Sequence, residues 1–157
     1  MISLHPLNRQ QADAVLHIAV RPDQEKFAGT VAAALAEPET TVDLHEIREH
    51  DHAVGLFKID RAYHLAHDFA APKDLGLRGM ILDRNRQGRG LGSAAMTVLK
   101  TYLASRYPDR ARVWLTVNMA NPTAAAVYRK AGFTETGEIW LHGKAGPQMI
   151  MFMSLEE

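Results

Sequence analysis

The chain has 157 residues, no cysteine and equal numbers of opposite charges, 18 Lys+Arg against 18 Asp+Glu. That length suits one domain with a buried core, the balanced charge sets up no field for nucleic acid or anionic lipid, and the missing cysteine excludes disulfides, thiolate metal sites and a cysteine nucleophile. No apolar run nears the roughly 20 residues that span a bilayer, and Met1-Ile2-Ser3-Leu4-His5-Pro6 lacks the regions of a signal peptide, so a cytoplasmic domain with no membrane partner is expected.

Residues 2–7 read as a first strand and 9–19 as a helix. Asp23 is placed to cap a second helix, in which Phe27, Val31 and Leu35 form one apolar stripe, and Pro38 stops it. Residues 41–47 and 53–59 form a strand pair around the polar turn Glu49-His50-Asp51-His52. Residues 60–74 carry no clear pattern. Residues 75–82 are a strand. Residues 90–106 follow as a helix with Leu91, Ala95, Val98, Leu99 and Tyr102 on one side. Residues 113–117 are β-rich. Asn121-Pro122 opens a short helix as N-cap and first helical residue, and Gly132 closes it. Residues 133–141 and 148–155 form a last hairpin around 142–147. Met149, Met151 and Met153 alternate with Ile150 and Phe152, the mark of a buried strand. Helix and strand alternate through the middle, which predicts an α/β sheet with at least one parallel crossover.

Between strand 75–82 and helix 90–106 runs Gln87-Gly88-Arg89-Gly90-Leu91-Gly92-Ser93. Its glycines let the backbone bend and bring N–H groups close to a ligand. The first N–H groups of the following helix lack internal partners, and its dipole favours negative charge there. Arg84, Arg86 and Arg89 add local positive charge. A diphosphate is the natural guest. The turn is not a P-loop, having no Lys-[Ser/Thr] pair. Its 88, 90, 92 spacing also departs from the dinucleotide fingerprint, with Ser93 where a third glycine is expected.

These residues resemble the GNAT acetyltransferases. Gln87 to Gly92 matches the family's [Arg/Gln]-x-x-Gly-x-[Gly/Ala] signature. Val117-Asn118 through Asn121, then Ala126-Val127-Tyr128-Arg129-Lys130-Ala131-Gly132-Phe133, is similar to its second signature. The likeness covers residues 75–155 well. Arg21-Pro22-Asp23-Gln24-Glu25-Lys26-Phe27 and Leu77 to Asp83 are similar to segments of bacterial polyamine N-acetyltransferases.

The resemblance implies a single GNAT domain over residues 1–157, with an acceptor-side half of about 1–74 and an acetyl-CoA-binding half of about 75–157. It implies a mixed, mostly antiparallel central sheet of six to seven strands, with a splayed parallel pair and about four flanking helices. The activity implied is transfer of acetyl from acetyl-CoA to a primary amine of a small molecule, a polyamine among the candidates, by direct attack in a ternary complex. The alternatives are a peptide or protein amine as acceptor, or an acyl-CoA-binding regulatory module without turnover. Backbone groups of Ile81 and Leu82 would pair with the pantetheine arm, with Gly79 supplying a bulge that splays the strand. Backbone N–H groups of Gly88, Arg89, Gly90, Leu91, Gly92 and Ser93 would hold the pyrophosphate, and the Gln87 side chain would brace the turn. Asn121 would cap its helix and contact the cofactor.

Tyr128 is the expected catalytic residue: a phenol near the thioester can protonate the departing thiolate, and a pKa of about 10 keeps it protonated at neutral pH. An amine of pKa about 10.4 is mostly charged at about pH 7.4, and stripping its proton costs about 4 kcal/mol. Glu25, His64, His67 and Asp68 come from segments that would border the acceptor, but none carries a motif for that base. His64-x-x-His67 and His50-Asp51-His52 lack a setting that converges imidazoles, so no metal is expected. A homodimer is an implied assembly.

Overall fold

The computed structural model describes residues 1–37, 40–87, 90–143 and 145–156. Seven strands make one sheet: β1 Ile2–Pro6, β2 Val42–Glu49, β3 His52–Asp60, β4 Leu75–Leu82, β5 Arg112–Asn118, β6 Thr134–Trp140 and β7 Gln148–Ser154, in the order β1-β2-β3-β4-β5-β7-β6. Among the described residues only β4 and β5 run parallel; the other pairs are antiparallel. The helices are α1 Glu25–Ala28, α2 Val31–Leu35, α3 Leu91–Thr97, α4 Leu99–Arg106 and α5 Pro122–Ala131. The fold expectation thus holds, with one α-helix more than anticipated because two predicted helices are each split and the first is 3-10.

The split of the second helix follows from Gly29. Its φ of 79° and ψ of −161° lie where a side chain is strongly disfavoured. Thr30 then caps α2 afresh, its hydroxyl accepting from Ala33 N at 3.2 Å. Asp23 is therefore no helix cap; it sits in a 3-10 turn over Pro22–Gln24. Phe27 falls before the break, and the 27/31/35 stripe does not continue through it. The stop assigned to Pro38 lies outside the described residues. Residues 9–19 are not an α-helix either: Arg9–Val15 forms 3-10 turns, kinked at Gln11 and capped by Asn8. Helix 90–106 divides at Val98 (φ −96°, ψ 0°), whose N–H reaches back to the Ala95 carbonyl. Val98 is consequently exposed, while Met96 and Leu103 are buried.

The sheet is covered on both faces. The larger core sets α3, α4 and α5 on the sheet, with Leu91, Ala95, Met96, Leu99, Leu103 and Ala125 against Leu75, Leu77, Val113, Leu115 and Val117. A second core packs Val15, Ile18, Val20, Val31 and Ala34 on Leu44, Ala53, Leu56 and Ile81. A third gathers Tyr63, Trp114 and Ile150 with Phe69, Trp140 and Phe152. Strand β6 is exposed along nearly its whole length at the sheet edge.

One irregularity positions the site. Between β3 and β4 the pairing steps from Lys58↔Arg78 to Leu56↔Ile81, two residues on one strand against three on the other, with Gly79 at φ 56° in the bulge. An extra residue inverts the pleat. Leu75 and Leu77 therefore face the helical core, while Ile81, of the same parity, is buried in the opposite one.

Candidate active site

The parallel strands meet only briefly. Leu75 pairs with Val113 and Gly76 with Trp114, and no further β4–β5 pair follows. Beyond Gly76 the strands part, and a cleft of about 560 Å³ opens between them. Its walls are residues 77–80 of β4, 115–118 of β5, and Asn121, Ala124 and Tyr128 of α5. Glu25, Lys26, Phe27 and Gly29 also line it, with Lys58, Tyr63 and His67.

Tyr128 is held by its own helix end. Gly132, at φ 114°, closes α5 with its N–H on the Arg129 and Tyr128 carbonyls, and Phe133 N donates to Tyr128 O at 3.0 Å. These bonds satisfy the last turn. The ring packs edge-on to Phe133, and the hydroxyl donates to Met80 Sδ across the cleft at 3.8 Å. Burial pushes the phenol pKa up to about 12, so it is a neutral O–H donor at any physiological pH. Asn121 Oδ1 accepts from Ala124 N at 3.3 Å; it caps α5 and also lines the cleft.

The glycine turn opens beside this wall. Gln87 Nε2 donates to Leu82 O at 3.0 Å and to Gln24 Oε1 at 2.9 Å, tying the end of β4 to the N-terminal segment. Gly90 is the N-cap of α3 at φ 75°, with no side-chain cap. The N–H groups of the helix's first turn, Leu91, Gly92 and Ser93, are those a helix cannot satisfy itself. Leu91 is buried in the helical core, and a Cβ at Gly92 would approach Met80 Cε at 3.5 Å. Ile81 and Leu82 pair with Leu56 and Gly55 of β3, and β5 does not pair with them on the opposite edge. Gly88 and Arg89 lie outside the described residues. Of the turn's other arginines, Arg86 is paired with Glu49 at 3.3 Å, so its charge is shared.

The four base candidates separate. Glu25 and His67 line the cleft; His64 and Asp68 are not among its lining residues. Of these two, His67 has a defined tautomer. Its Nδ1 lies 3.1 Å from Tyr63 O; a carbonyl only accepts, so Nδ1 carries the hydrogen and Nε2 has a free lone pair. Burial and the Arg78 charge, outweighing the Tyr63 carbonyl, Asp60 and Asp68, hold its pKa below the usual histidine value. Among the described residues no group of three His, Cys, Asp or Glu converges as a metal site.

Lys58 and Tyr63 line the cleft without any sequence signal, and Arg78 and Met80 line it from the segment similar to polyamine N-acetyltransferases without having been assigned a role. They are ordinary strand and loop residues whose meeting depends on the bulge and on the β4–β5 separation. No helix among the described residues is long and apolar enough to cross a membrane.

Several solved structures share this fold. The aminoglycoside acetyltransferase AAC(6')-Ib, in complex with coenzyme A and kanamycin, superposes with a TM-score of 0.77 at 17% identity, over 98% of this chain and 95% of that one. Spermidine N-acetyltransferase from Vibrio cholerae, in complex with CoA and spermine, gives 0.71 at 14% identity, over 98% and 95%. The ribosomal-protein-S18-alanine N-acetyltransferase from Escherichia coli gives 0.66 at 21% identity, over 100% and 96%. No curated protein matches the sequence. The profile of the acetyltransferase (GNAT) family matches residues 3–133, more than half of the chain, and the protein belongs to that family.

Proposed function

We propose that the protein moves an acetyl group from acetyl-CoA to the primary amine of a small molecule, both bound in one cleft. The observation that carries this is the gap between β4 and β5, where the Tyr128 hydroxyl faces Met80 and the uncapped first turn of α3 opens beside it. The residues fit a long diphosphate thioester. Backbone groups of Ile81 and Leu82 lie on a strand edge that β5 leaves open. N–H groups of Gly90, Leu91, Gly92 and Ser93, with Gly88 and Arg89 of the same turn, suit the pyrophosphate. Gln87 braces the turn and Asn121 borders the cofactor.

When bound, acetyl-CoA supplies an activated acyl carbon: the amine nitrogen forms a bond to it as the C–S bond breaks, the amine losing one proton and the departing sulfur gaining one. His67 Nε2 takes the amine proton. Tyr128 donates a hydrogen bond to the departing sulfur, which takes its proton from solvent. With a phenol of pKa about 12 and a thiol near about 8.5, full transfer is uphill, so the main contribution of Tyr128 is a hydrogen bond that strengthens as charge develops.

The same proposal takes the protein as cytoplasmic, where acetyl-CoA is available, and as a homodimer, for which the exposed edge strand β6 offers unpaired backbone groups beside Ile139. Two measurements test the function. Acetyl-CoA at high concentration raises the melting temperature, and thiol is released with a suitable amine. A melting shift without thiol release from any amine favours the regulatory alternative; the absence of both overturns the proposal.

A further inference from the structure

The acceptor end of the cleft carries an unusual charge pattern for an enzyme acting on amines. Among the described residues its charged lining side chains are Glu25, Lys26, Lys58 and Arg78, three cations to one anion. Two of the cations are fixed from behind. Lys58 Nζ and Arg78 Nη2 both donate to Glu37 Oε1, at 3.0 and 3.1 Å, and Arg78 Nη1 donates to Asp60 Oδ2 at 3.3 Å. Glu37 and Asp60 are not among the lining residues. Burial alone would raise the Glu37 carboxyl, but the hydrogen bonds and charges of Lys58 and Arg78 bring it below its usual value, so it is ionised and committed to them.

A polycation would find little here. It needs several open carboxylates, and at this wall Glu37 and Asp60 are taken by protein cations, which leaves Glu25. Glu37 and Asp60 offset the charge of Lys58 and Arg78, so what this wall offers a ligand is its spare N–H donors, which a carboxylate oxygen can accept from and an ammonium group cannot. Among the described residues Lys58 uses one of its three N–H donors and Arg78 two of its five, Nε remaining unused. Arg78 is close enough for its charge to be felt at His67 and at Tyr63. The cations and the base thus border the same end of the cleft.

We infer that the acceptor is an amino acid, its amine delivered to His67 and its carboxylate held by Lys58 and Arg78. This rests on the acetyltransferase reading above and names its substrate class. Lys58 and Arg78 are then specificity residues: they bind the part of the acceptor that does not react, and fix the amine by doing so.

The test compares matched amines on the unaltered protein. Thiol release is measured with free amino acids, with their amides, with the corresponding decarboxylated amines, and with spermidine and kanamycin. Calorimetry with the CoA-saturated protein gives affinity apart from turnover. Amino acids are expected to exceed their amides and decarboxylated counterparts by at least about tenfold in kcat/KM and in affinity. Arg78→Gln and Lys58→Gln should raise the amino-acid KM by about tenfold with a smaller change in kcat, and keep the melting shift given by acetyl-CoA. If either variant fails to fold, the substrate comparison decides alone. Equal or better turnover of spermidine, kanamycin or the decarboxylated amines overturns this inference and leaves the acetyltransferase standing. No acetyl-CoA binding, or binding with no amine acetylated, overturns both.

Discussion

The imidazole of His67 lies flat on the phenol ring of Tyr63, ring centres 3.7 Å apart and planes 7° from parallel. Tyr63 is 1% exposed, and it occupies that place because β4 has a glycine beneath it. A Cβ built at Gly76 would overlap the Tyr63 ring, with Cε1 at 2.6 Å. Gly76 is also the last β4 residue paired with β5. A missing side chain at the point where the strands part seats a tyrosine, which carries the candidate base.

Gly76→Ala therefore displaces Tyr63 and with it His67. Overpacking of this kind costs about 1–3 kcal/mol, which for a chain of this size lowers the melting temperature by roughly 2–12 °C. Differential scanning calorimetry reads the loss of stability. Turnover should fall further than stability alone explains, measured well below the melting temperature. A variant with wild-type Tm and kcat would show that Tyr63 is not seated by Gly76.

Tyr128→Phe removes the hydroxyl that faces Met80 and keeps the ring on Phe133. It should lower kcat by about 10²-fold or more and leave the Kd of acetyl-CoA within about threefold, since the hydrogen bond from its oxygen to the thioester sulfur strengthens only as charge develops. Steady-state thiol release and a calorimetric Kd separate the two effects. An unchanged kcat removes Tyr128 from the chemistry.

His67→Gln tests the base. The pKa of His67 is lowered from 6.5 by burial and Arg78, against Tyr63 O, Asp60 and Asp68. The neutral, proton-accepting form therefore persists to pH values below 6.5, and the acid limb of the wild-type kcat profile should lie there. The variant should lose about 10²-fold in kcat near neutral pH and lose that limb. A pH–rate profile identical to that of the wild type would assign the proton to water.

A different histidine governs acid stability. His45 is 1% exposed and stands between Tyr102 Oη, 2.5 Å from Nδ1, and Tyr107 Oη, 3.0 Å from Nε2. Tyr107 donates to Asp43 Oδ2 at 2.7 Å; its oxygen thus accepts from Nε2–H, and Nδ1 accepts from Tyr102. The relay ties α4 to β2 with His45 neutral. Burial, with Arg106 adding to it against Asp43, brings the pKa from 6.5 to about 4. The unfolded chain takes up a proton below pH 6.5 that the native state refuses until about pH 4. Stability is full above pH 6.5 and falls through that window by about 3 kcal/mol at 1.36 kcal/mol per unit. Urea unfolding at pH 7, 5.5 and 4 measures it, and His45→Gln should flatten the curve. An equal slope in the variant would place the acid sensitivity elsewhere.

The pattern of what was legible follows the range of the interactions. Asn121-Pro122 and Gly132 announce α5 because capping and helix closure act within a few residues. Strand 75–82 and the glycine turn were readable for the same reason, and two local signatures at the right separation named the family. Where a local signal was overruled, as at Gly29 and Val98, the backbone broke inside a stretch whose apolar spacing continued. The acceptor end depends on contacts between distant residues: Lys58 reaches Glu37 across 21 positions and Arg78 reaches it across 41, and no periodicity encodes them. The sequence by itself determined the strands, the glycine turn and the tyrosine on its short helix, since each is set by neighbours along the chain. Only the tertiary structure decided which side chains border the cleft, because the bulge at Gly79 inverts one strand's pleat and the β4–β5 gap alone brings Lys58, His67, Arg78 and Tyr128 around one space.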